Sequence, residues 1–164
     1  MIEATLCFPI KGHPITEVLL GLKKLGLGEG KYDGFGGKIE PGETVEAAAV
    51  RELAEEAGIV ASEQALEWMG RLVFVFPCKP EWSQVVHVFT VRAWAGCPAE
   101  SAEMNPAWFP AGEIPYHTMW QDGPHWLPLV LAGQSVQGTF TFKADNETVD
   151  TAEIETGDRD RGRR

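Results

Sequence analysis

The sequence predicts a single mixed α/β domain, and its length, composition and alternation of apolar patterns are the grounds. The chain has 164 residues, of which 44% are hydrophobic and 23% are charged. That is ordinary for one globular domain that buries its core without disulfide bonds. Short segments with strand-like patterns occur on both sides of one amphipathic helical pattern, without internal repeats. This mixture favours a sheet packed against helices.

Five segments are predicted to be β-strands because their apolar residues alternate or run continuously for six to ten residues. The segments are residues 5–10, 17–23, 71–76, 85–94 and 136–142.

Two helices are predicted. The first covers residues 44–57, where Thr44 is an N-cap residue and Gly58 a C-terminal stop. The second covers residues 125–132, although Pro128 lies within it.

The remaining segments are predicted to lack regular structure. Six glycines between positions 26 and 37 exclude a regular element there. Residues 106–115 are interpreted as a proline-rich connection. We assign residues 1–144 to the domain and residues 145–164 to a polar tail, whose end, GDRDRGRR, is expected to be disordered.

Charge and cysteine content exclude several classes of protein. A formal net charge of −10 argues against a duplex-DNA binder. It is consistent with a partner that brings divalent cations, and equally with an acidic surface that keeps the protein in solution. The three cysteines, Cys7, Cys78 and Cys97, are odd in number and form no CxxC pair, so they suggest neither a disulfide framework nor a thiolate zinc site. With no signal peptide and no membrane-length apolar run, a reducing cytoplasm is the expected location.

One face of the first predicted helix is acidic. Glu52, Glu55 and Glu56 are spaced i, i+3 and i+4. A solvated acidic face is one interpretation. The other is a magnesium site, since clustered carboxylates are the oxygen ligands that this ion prefers. Arg51 beside the cluster and the adjacent Gly36 and Gly37 before the helix favour the second interpretation.

At this point the chain resembles the Nudix family. The matching positions are Gly37, Glu43, Arg51, Glu52, Leu53, Glu55, Glu56, Gly58 and Ile59, in the order and spacing of the Nudix box. The resemblance implies an α/β/α sandwich with a mixed sheet and a loop–helix–loop that holds Mg²⁺ or Mn²⁺. It also implies water attack on a phosphorus atom of a nucleoside diphosphate linked to a further group.

The resemblance also implies roles for individual residues. Glu52, Glu55 and Glu56 would ligate the metal together with the Gly36 carbonyl, and Glu103 would join the metal and water chemistry. Arg51 and Glu43 would support the loop–helix geometry. Lys23 and Lys38 are candidates for binding phosphate, unless they are solvated surface side chains.

Much of the chain, about residues 5–142, is similar to the MutT homologues that hydrolyse oxidised purine nucleoside triphosphates. The stretches that carry this similarity include GKYDGFGGKIEPGET, EMNPAWF and WLPLVLAG. It implies hydrolysis of 8-oxo-dGTP to the monophosphate and diphosphate, with a role in sanitising the nucleotide pool. The substrate-binding positions implied are Thr5, Lys23, Leu27, Asp33, Gly36, Gly37, Lys38, Phe74, Phe76, Gln84, Met104, Trp120, Asp122 and Trp126.

Three departures from this branch affect the expected base specificity. Asparagine is replaced by Asp33, an aspartate pair by Asp122-Gly123, and methionine by Gln84. Two carboxyls beside a buried base do not both ionise easily. Our hypothesis is that one carboxyl stays protonated and donates a hydrogen bond, while the other accepts one. Such a pair could read an oxidised guanine, or a base with an amino donor such as adenine, 2-oxo-adenine or cytosine.

Other functions remain open at this stage. Ordinary dNTPs, a methylated purine nucleotide or a nucleoside diphosphate derivative are alternative substrates, and a catalytically silent nucleotide-binding module is an alternative class. Trp120 and Trp126 could be core residues rather than base contacts. Nucleic-acid binding through tryptophans lacks the basic groove it needs. We expect a monomer that acts on small nucleotides.

Overall fold

The computed structural model describes residues 1–157, which form a mixed sheet with one helix on each face. The elements are β1 (Ile2–Lys11), β2 (Glu17–Lys23), β3 (Tyr32–Asp33), α1 (Val45–Ala57), β4 (Leu66–Val75), β5 (Gln84–Val91), β6 (Met104–Pro110), α2 (Gly123–Leu131), β7 (Ser135–Phe142) and β8 (Val149–Gly157).

The strand order is β3-β2-β1-β5-β4-β7-β8. β1 and β3 pair with different parts of one edge of β2, and β6 pairs with its opposite edge. β1 runs parallel to β5 and β4 runs parallel to β7, whereas all the other pairs are antiparallel. The sheet is therefore mixed, as the resemblance implies.

Two apolar cores lie on opposite faces of this sheet. In β1, Phe8 and Ile10 pack in one core with Trp126 of α2, whereas Cys7 packs in the other with Leu53 of α1. Side chains alternate between the faces of a strand, so a single strand contributes to both cores. The predicted α/β/α sandwich is confirmed.

The boundaries of α1 follow its capping residues. The Thr44 hydroxyl accepts a hydrogen bond from the Ala47 amide at 3.1 Å. At the other end Gly58 has φ of 71° and donates its N–H to the Ala54 carbonyl at 3.0 Å. Each group satisfies a helix end that has no partner within the helix. The predicted start and stop of this helix are confirmed.

The segment that enters α1 fills a gap between β1 and β2. These strands pair directly only at Ile10–Val18 and Lys11–Glu17. Beyond that point the glycine-rich segment runs beside β1, where Cys7 exchanges backbone hydrogen bonds with Phe35 at 2.7 and 2.9 Å. The loop before α1 is thereby held against the centre of the sheet.

The proline-rich connection predicted for residues 106–115 is wrong over its first half. Residues Met104–Pro110 form β6, which pairs with the whole of β2. Pro106 and Pro110 lack a backbone donor, and prolines in sheets are confined mainly to edge strands such as this one. Within residues 1–157, β6 pairs with β2 alone.

Two further segments gain strands that were not predicted. Tyr32–Asp33 pairs with β2 inside the glycine-rich region. Val149–Gly157, assigned to the polar tail, pairs along β7 as β8. Most of its residues are polar and exposed, and apolar residues do not alternate regularly along it, which is why the segment looks like a tail in the sequence. The stretch GDRDRGRR lies outside the described residues, apart from Gly157 at its start.

Two smaller expectations can also be compared with the structure. The second helix begins at Gly123, two residues before the predicted start, and Pro128 lies within it. In residues 1–157 neither helix combines the length and apolarity needed to cross a bilayer. The three cysteines are free, and burial raises the pKa of Cys7 to about 12.

We predict that Leu53→Ala lowers the free energy of unfolding by about 2–5 kcal/mol. Leu53 is fully buried where α1 meets the sheet, so truncation leaves a cavity. Val60→Ala is the control, because Val60 is 60% exposed and should cost less than about 0.5 kcal/mol. Urea unfolding measures both, and equal losses would contradict the packing described.

Candidate active site

Arg51 connects the loop before α1 to the acidic face of the helix. Its Nε and Nη2 donate to the two oxygens of Glu43 at 2.6 and 2.8 Å. Nη2 also donates to the Lys38 carbonyl at 3.1 Å. Arg51 thereby lowers the pKa of Glu43 to about 2. The paired geometry is specific to guanidinium and fixes the angle between loop and helix.

The same guanidinium orients two of the predicted metal ligands. Nη1 donates to Glu52 at 2.9 Å and to Glu55 at 3.4 Å. Burial still raises the pKa of Glu52, because Arg51 offsets only part of the desolvation. Glu52 lies against Gly37, where an added Cβ would be 2.6 Å from Glu52 Oε1.

Glu56 is the most buried carboxylate of α1, with 2% of its surface exposed. Its Oε1 accepts the Gly36 amide at 2.8 Å, and its Oε2 lies 4.0 Å from Lys23 Nζ. Lys23 Nζ is also 3.8 Å from Glu103. Burial raises the pKa of Glu56 to about 8; the Gly36 amide and Lys23 oppose this shift, and Glu52 and Glu103 add to it.

Gly36 must be a glycine for steric reasons. A Cβ built there would lie 1.7 Å from the Thr5 carbonyl oxygen, which is backbone and cannot move aside. This close approach places the Gly36 amide within hydrogen-bonding distance of Glu56. The two adjacent glycines thus allow the loop to lie between β1 and α1.

The donor set fits a divalent cation. Glu52, Glu55, Glu56 and Glu103 supply hard oxygen ligands of the type that magnesium binds. Glu103 raises the pKa of both Glu52 and Glu56, so the carboxylates repel one another and a cation between them would relieve the repulsion. Among residues 1–157 no three of these side chains converge on one point; Arg51 contacts Glu52 and Glu55, and Lys23 contacts Glu56 and Glu103.

All of the predicted substrate-binding residues except Met104 line one cavity of about 300 Å³. It extends from the loop before α1 to the start of α2. At one end are the glycines that contact Glu52 and Glu56, and at the other are the aromatic and aspartate side chains. The predicted members are Thr5, Lys23, Leu27, Asp33, Gly36, Gly37, Lys38, Phe74, Phe76, Gln84, Trp120, Asp122 and Trp126.

Met104 differs from its predicted role. It is 2% exposed and packs with Phe35 and Leu53 in the core under α1, on the other face of the sheet. A Cβ on Gly21 would lie 2.6 Å from its terminal methyl group. Met104 is therefore a core residue in this structure.

Several apolar lining residues were not predicted. Alternation along β1 could have identified Ala4 and Leu6, because they share a face with Phe8. Phe142 ends a predicted strand, and its ring stacks on Phe76 with 4.5 Å between centroids. Gly123 was named only as a departure from an aspartate pair, and Val86 and Met119 had no distinguishing signal in the sequence. The additional residues are Ala4, Leu6, Val86, Met119, Gly123 and Phe142.

Trp120 forms a wall of the cavity rather than a centre of the core. Its ring meets Phe76 and Phe142 edge-on, with centroids 6.2 and 6.1 Å away. Leu27, which is 41% exposed, lies at the same end. Thr5 contributes a buried hydroxyl that has no hydrogen-bond partner within residues 1–157. An aromatic wall with an unsatisfied hydroxyl suits a flat, polar-edged ligand.

Asp33 and Asp122 both line this cavity, and the charge of Asp122 acts on Asp33. Asp33 Oδ1 accepts the Gly34 amide at 2.8 Å, and Asp122 Oδ2 accepts Trp126 Nε1 at 2.8 Å. Burial and then the charge of Asp122 raise the pKa of Asp33 to about 7. Burial raises the pKa of Asp122 to about 6. Near neutral pH the pair therefore holds a proton for part of the time.

We predict that Asp33→Asn stabilises the protein increasingly as pH rises from 4 to 8. Asp33 titrates near 3.8 in an unfolded chain and near 7 in the folded one. Between these values the folded state binds more protons, so ionisation of Asp33 lowers the stability of the protein as pH rises, whereas asparagine removes this contribution. Thermal melts across this range provide the measurement. Asp150→Asn, on exposed β8, is the control, and a pH-independent difference at Asp33 would refute the assignment.

Comparison with known proteins agrees with this geometry. The chain is 43% identical over 132 residues to the oxidized purine nucleoside triphosphate hydrolase of Mus musculus, covering 80% of this chain and 82% of that protein. It is 44% identical over 133 residues to the protein of the same name from Danio rerio, covering 81% and 83%.

A solved structure has the same fold. The crystal structure of the MutT protein from Bacillus halodurans superimposes with a TM-score of 0.78 at 24% identity, covering 94% of this chain and 98% of that chain. The family profile of the NUDIX domain matches residues 5–130. The resemblance drawn from the Nudix box is confirmed, and this chain belongs to the NUDIX family.

Proposed function

We propose that this protein is a metal-dependent nucleoside triphosphate diphosphatase that acts on oxidised purine nucleotides such as 8-oxo-dGTP. The products would be the monophosphate and diphosphate. The observation that carries the proposal is that one cavity joins the acidic loop–helix site to an aromatic, carboxyl-lined end. Such a cavity is complementary to a substrate that has a charged chain at one end and a flat base at the other.

Mg²⁺, or Mn²⁺ in its place, would be held by Glu52, Glu55, Glu56 and Glu103 with the Gly36 carbonyl. When bound, it supplies Lewis acidity and a more acidic water. The protein's own contribution is to keep these ligands oriented. Arg51 does this for Glu52 and Glu55 through its hydrogen bonds.

Lys23 and Lys38 are the proposed phosphate contacts. Both line the cavity, and Lys23 lies between Glu56 and Glu103. A phosphate oxygen that binds the Lys23 ammonium group in place of Glu56 and Glu103 would leave both carboxylates available to the metal. Phosphoryl transfer requires this kind of charge neutralisation around the phosphorus atom more than it requires covalent catalysis.

The base is proposed to stack on Trp120 and to be read by Asp33 and Asp122. With one proton on the two carboxyls, one donates a hydrogen bond and the other accepts one, whereas two ionised carboxylates could only accept. A base whose edge leaves either group unpaired is rejected, because an unpaired buried polar group is costly. Thr5 and Gln84 add polar contacts along the same cavity.

We further propose that the protein acts as a monomer on free nucleotides in the cytoplasm. The acidic balance of the chain is consistent with this, since a net charge of −10 disfavours retention on nucleic acid.

The decisive experiment is a nucleotide panel assayed for diphosphate release. We predict a higher kcat/KM for 8-oxo-dGTP than for dGTP. The panel includes 2-oxo-dATP, dATP, dCTP and a methylated purine nucleotide, because a carboxyl pair with one proton also suits a base with an amino donor. Equal turnover of all bases would exclude base reading by Asp33 and Asp122.

We predict that Glu56→Gln lowers turnover by several orders of magnitude while the melting temperature stays close to that of the original protein or rises. The amide cannot supply an anionic ligand, whereas it still accepts from Gly36 and removes a buried carboxyl. Exposed Glu155→Gln, on β8, is the control and should retain full activity.

Chelation tests the same ligand set. Activity is expected to disappear with a chelator and return with Mg²⁺ in the original protein, while Glu56→Gln gains little from added metal. Unchanged turnover in Glu56→Gln would reject the metal assignment.

A further inference from the structure

The turn between β7 and β8, residues 143–148, is stiffened by its own side chains. The Asp145 carboxylate accepts the amides of Glu147 and Thr148 at 3.0 and 2.8 Å and the Thr148 hydroxyl at 2.5 Å. Lys143 closes the turn by donating its N–H to the Thr148 carbonyl at 2.8 Å. The backbone that carries Glu147 is thereby fixed. This hairpin follows residue 130, where the match to the NUDIX profile ends.

Glu147 reaches the cavity wall through Lys31. Lys31 Nζ lies 3.4 Å from Glu147 Oε1 and 5.2 Å from the centre of the Trp120 ring. The backbone of Lys31 is anchored in turn, because its carbonyl accepts the Lys23 amide at 2.9 Å and its amide donates to Gly28 at 3.0 Å. An ammonium group over an indole face is attracted by the ring electrons.

Other contacts also hold Trp120 in place. A Cβ on Gly28 would lie 3.0 Å from Trp120 Nε1, so this loop packs directly on the indole. The neighbouring Gln121 accepts the Val149 amide at 3.2 Å, which joins the segment to the start of β8. Phe142 meets the ring edge-on. The hairpin and the glycine-rich loop therefore both help to position Trp120.

We propose that Lys31 and Glu147 are positioning residues for Trp120, and that the β7–β8 turn thereby contributes to nucleotide binding. The inference rests on the proposed function, in which Trp120 stacks on the base. Lys31 is 25% exposed and Glu147 is 64% exposed, so their ion pair adds little to folding stability. The ion pair instead acts locally, because it fixes the position of the Lys31 ammonium group and limits the movement of the Trp120 ring at the cavity.

The test compares Lys31→Met and Glu147→Gln with the original protein. We expect KM for 8-oxo-dGTP and Kd for 8-oxo-dGMP to rise about two- to fivefold in each, which is the range of an exposed ion pair. kcat and the melting temperature should not change, because neither residue contacts the metal ligands or the core. Lys31→Arg keeps the cation and should restore binding. Exposed Glu153→Gln, on β8, is the matched control.

A second readout does not depend on activity. Acrylamide quenching is measured with and without Trp120→Phe in each background, so that the difference isolates Trp120. Lys31→Met and Glu147→Gln should each increase the quenching of Trp120, and Lys31→Arg should not. Unchanged quenching, or unchanged KM and Kd in a nucleotide-hydrolysing protein, would overturn the inference. Absence of hydrolysis by the original protein would instead reject the proposed function, and quenching would still decide whether the pair holds the ring.

Discussion

The hydrogen bond from the Gly36 amide to Glu56 is the contact on which the rest of the site depends. It joins a loop that lies on β1 to the buried side of α1. It exists only because Gly36 has no Cβ to strike the Thr5 carbonyl. Arg51 makes the corresponding connection on the exposed side through Glu43 and the Lys38 carbonyl. Loop and helix are thus fixed to each other at two points.

This geometry places carboxylates where burial opposes their ionisation. For Glu56, desolvation outweighs the Gly36 hydrogen bond and Lys23, since its pKa still rises to about 8. A fold that served stability alone would bury an apolar side chain at this position. Strongly shifted carboxyls that line or adjoin a cavity are typical of functional sites. A bound cation would compensate the cost of burying these charges, and under the proposed function the electrostatics of the site would then depend on the metal.

Local signals in the sequence predicted the elements that depend on local interactions. Thr44 and Gly58 define α1 because capping acts within one turn of the helix. By contrast β6 contains two prolines and is a strand only because β2 offers it a partner along its whole length. β8 likewise depends on β7. Met104 is a position that only the resemblance implied, and its side chain lies in the opposite core while its neighbour Glu103 lies beside Lys23.

The two ends of the cavity solve one electrostatic problem in different ways. At the acidic helix, repulsion between carboxylates is suited to relief by a divalent cation. At the far end, burial raises the pKa values of Asp33 and Asp122 to about 7 and 6, with the charge of Asp122 adding to the rise at Asp33, so a proton can neutralise these carboxyls there. Lys23 acts on both, because its charge lowers the pKa of Asp33 as well as that of Glu56. Under the proposed function, a phosphate that neutralises Lys23 would strengthen proton binding at Asp33, so occupation of the phosphate end would favour the donor form at the base end.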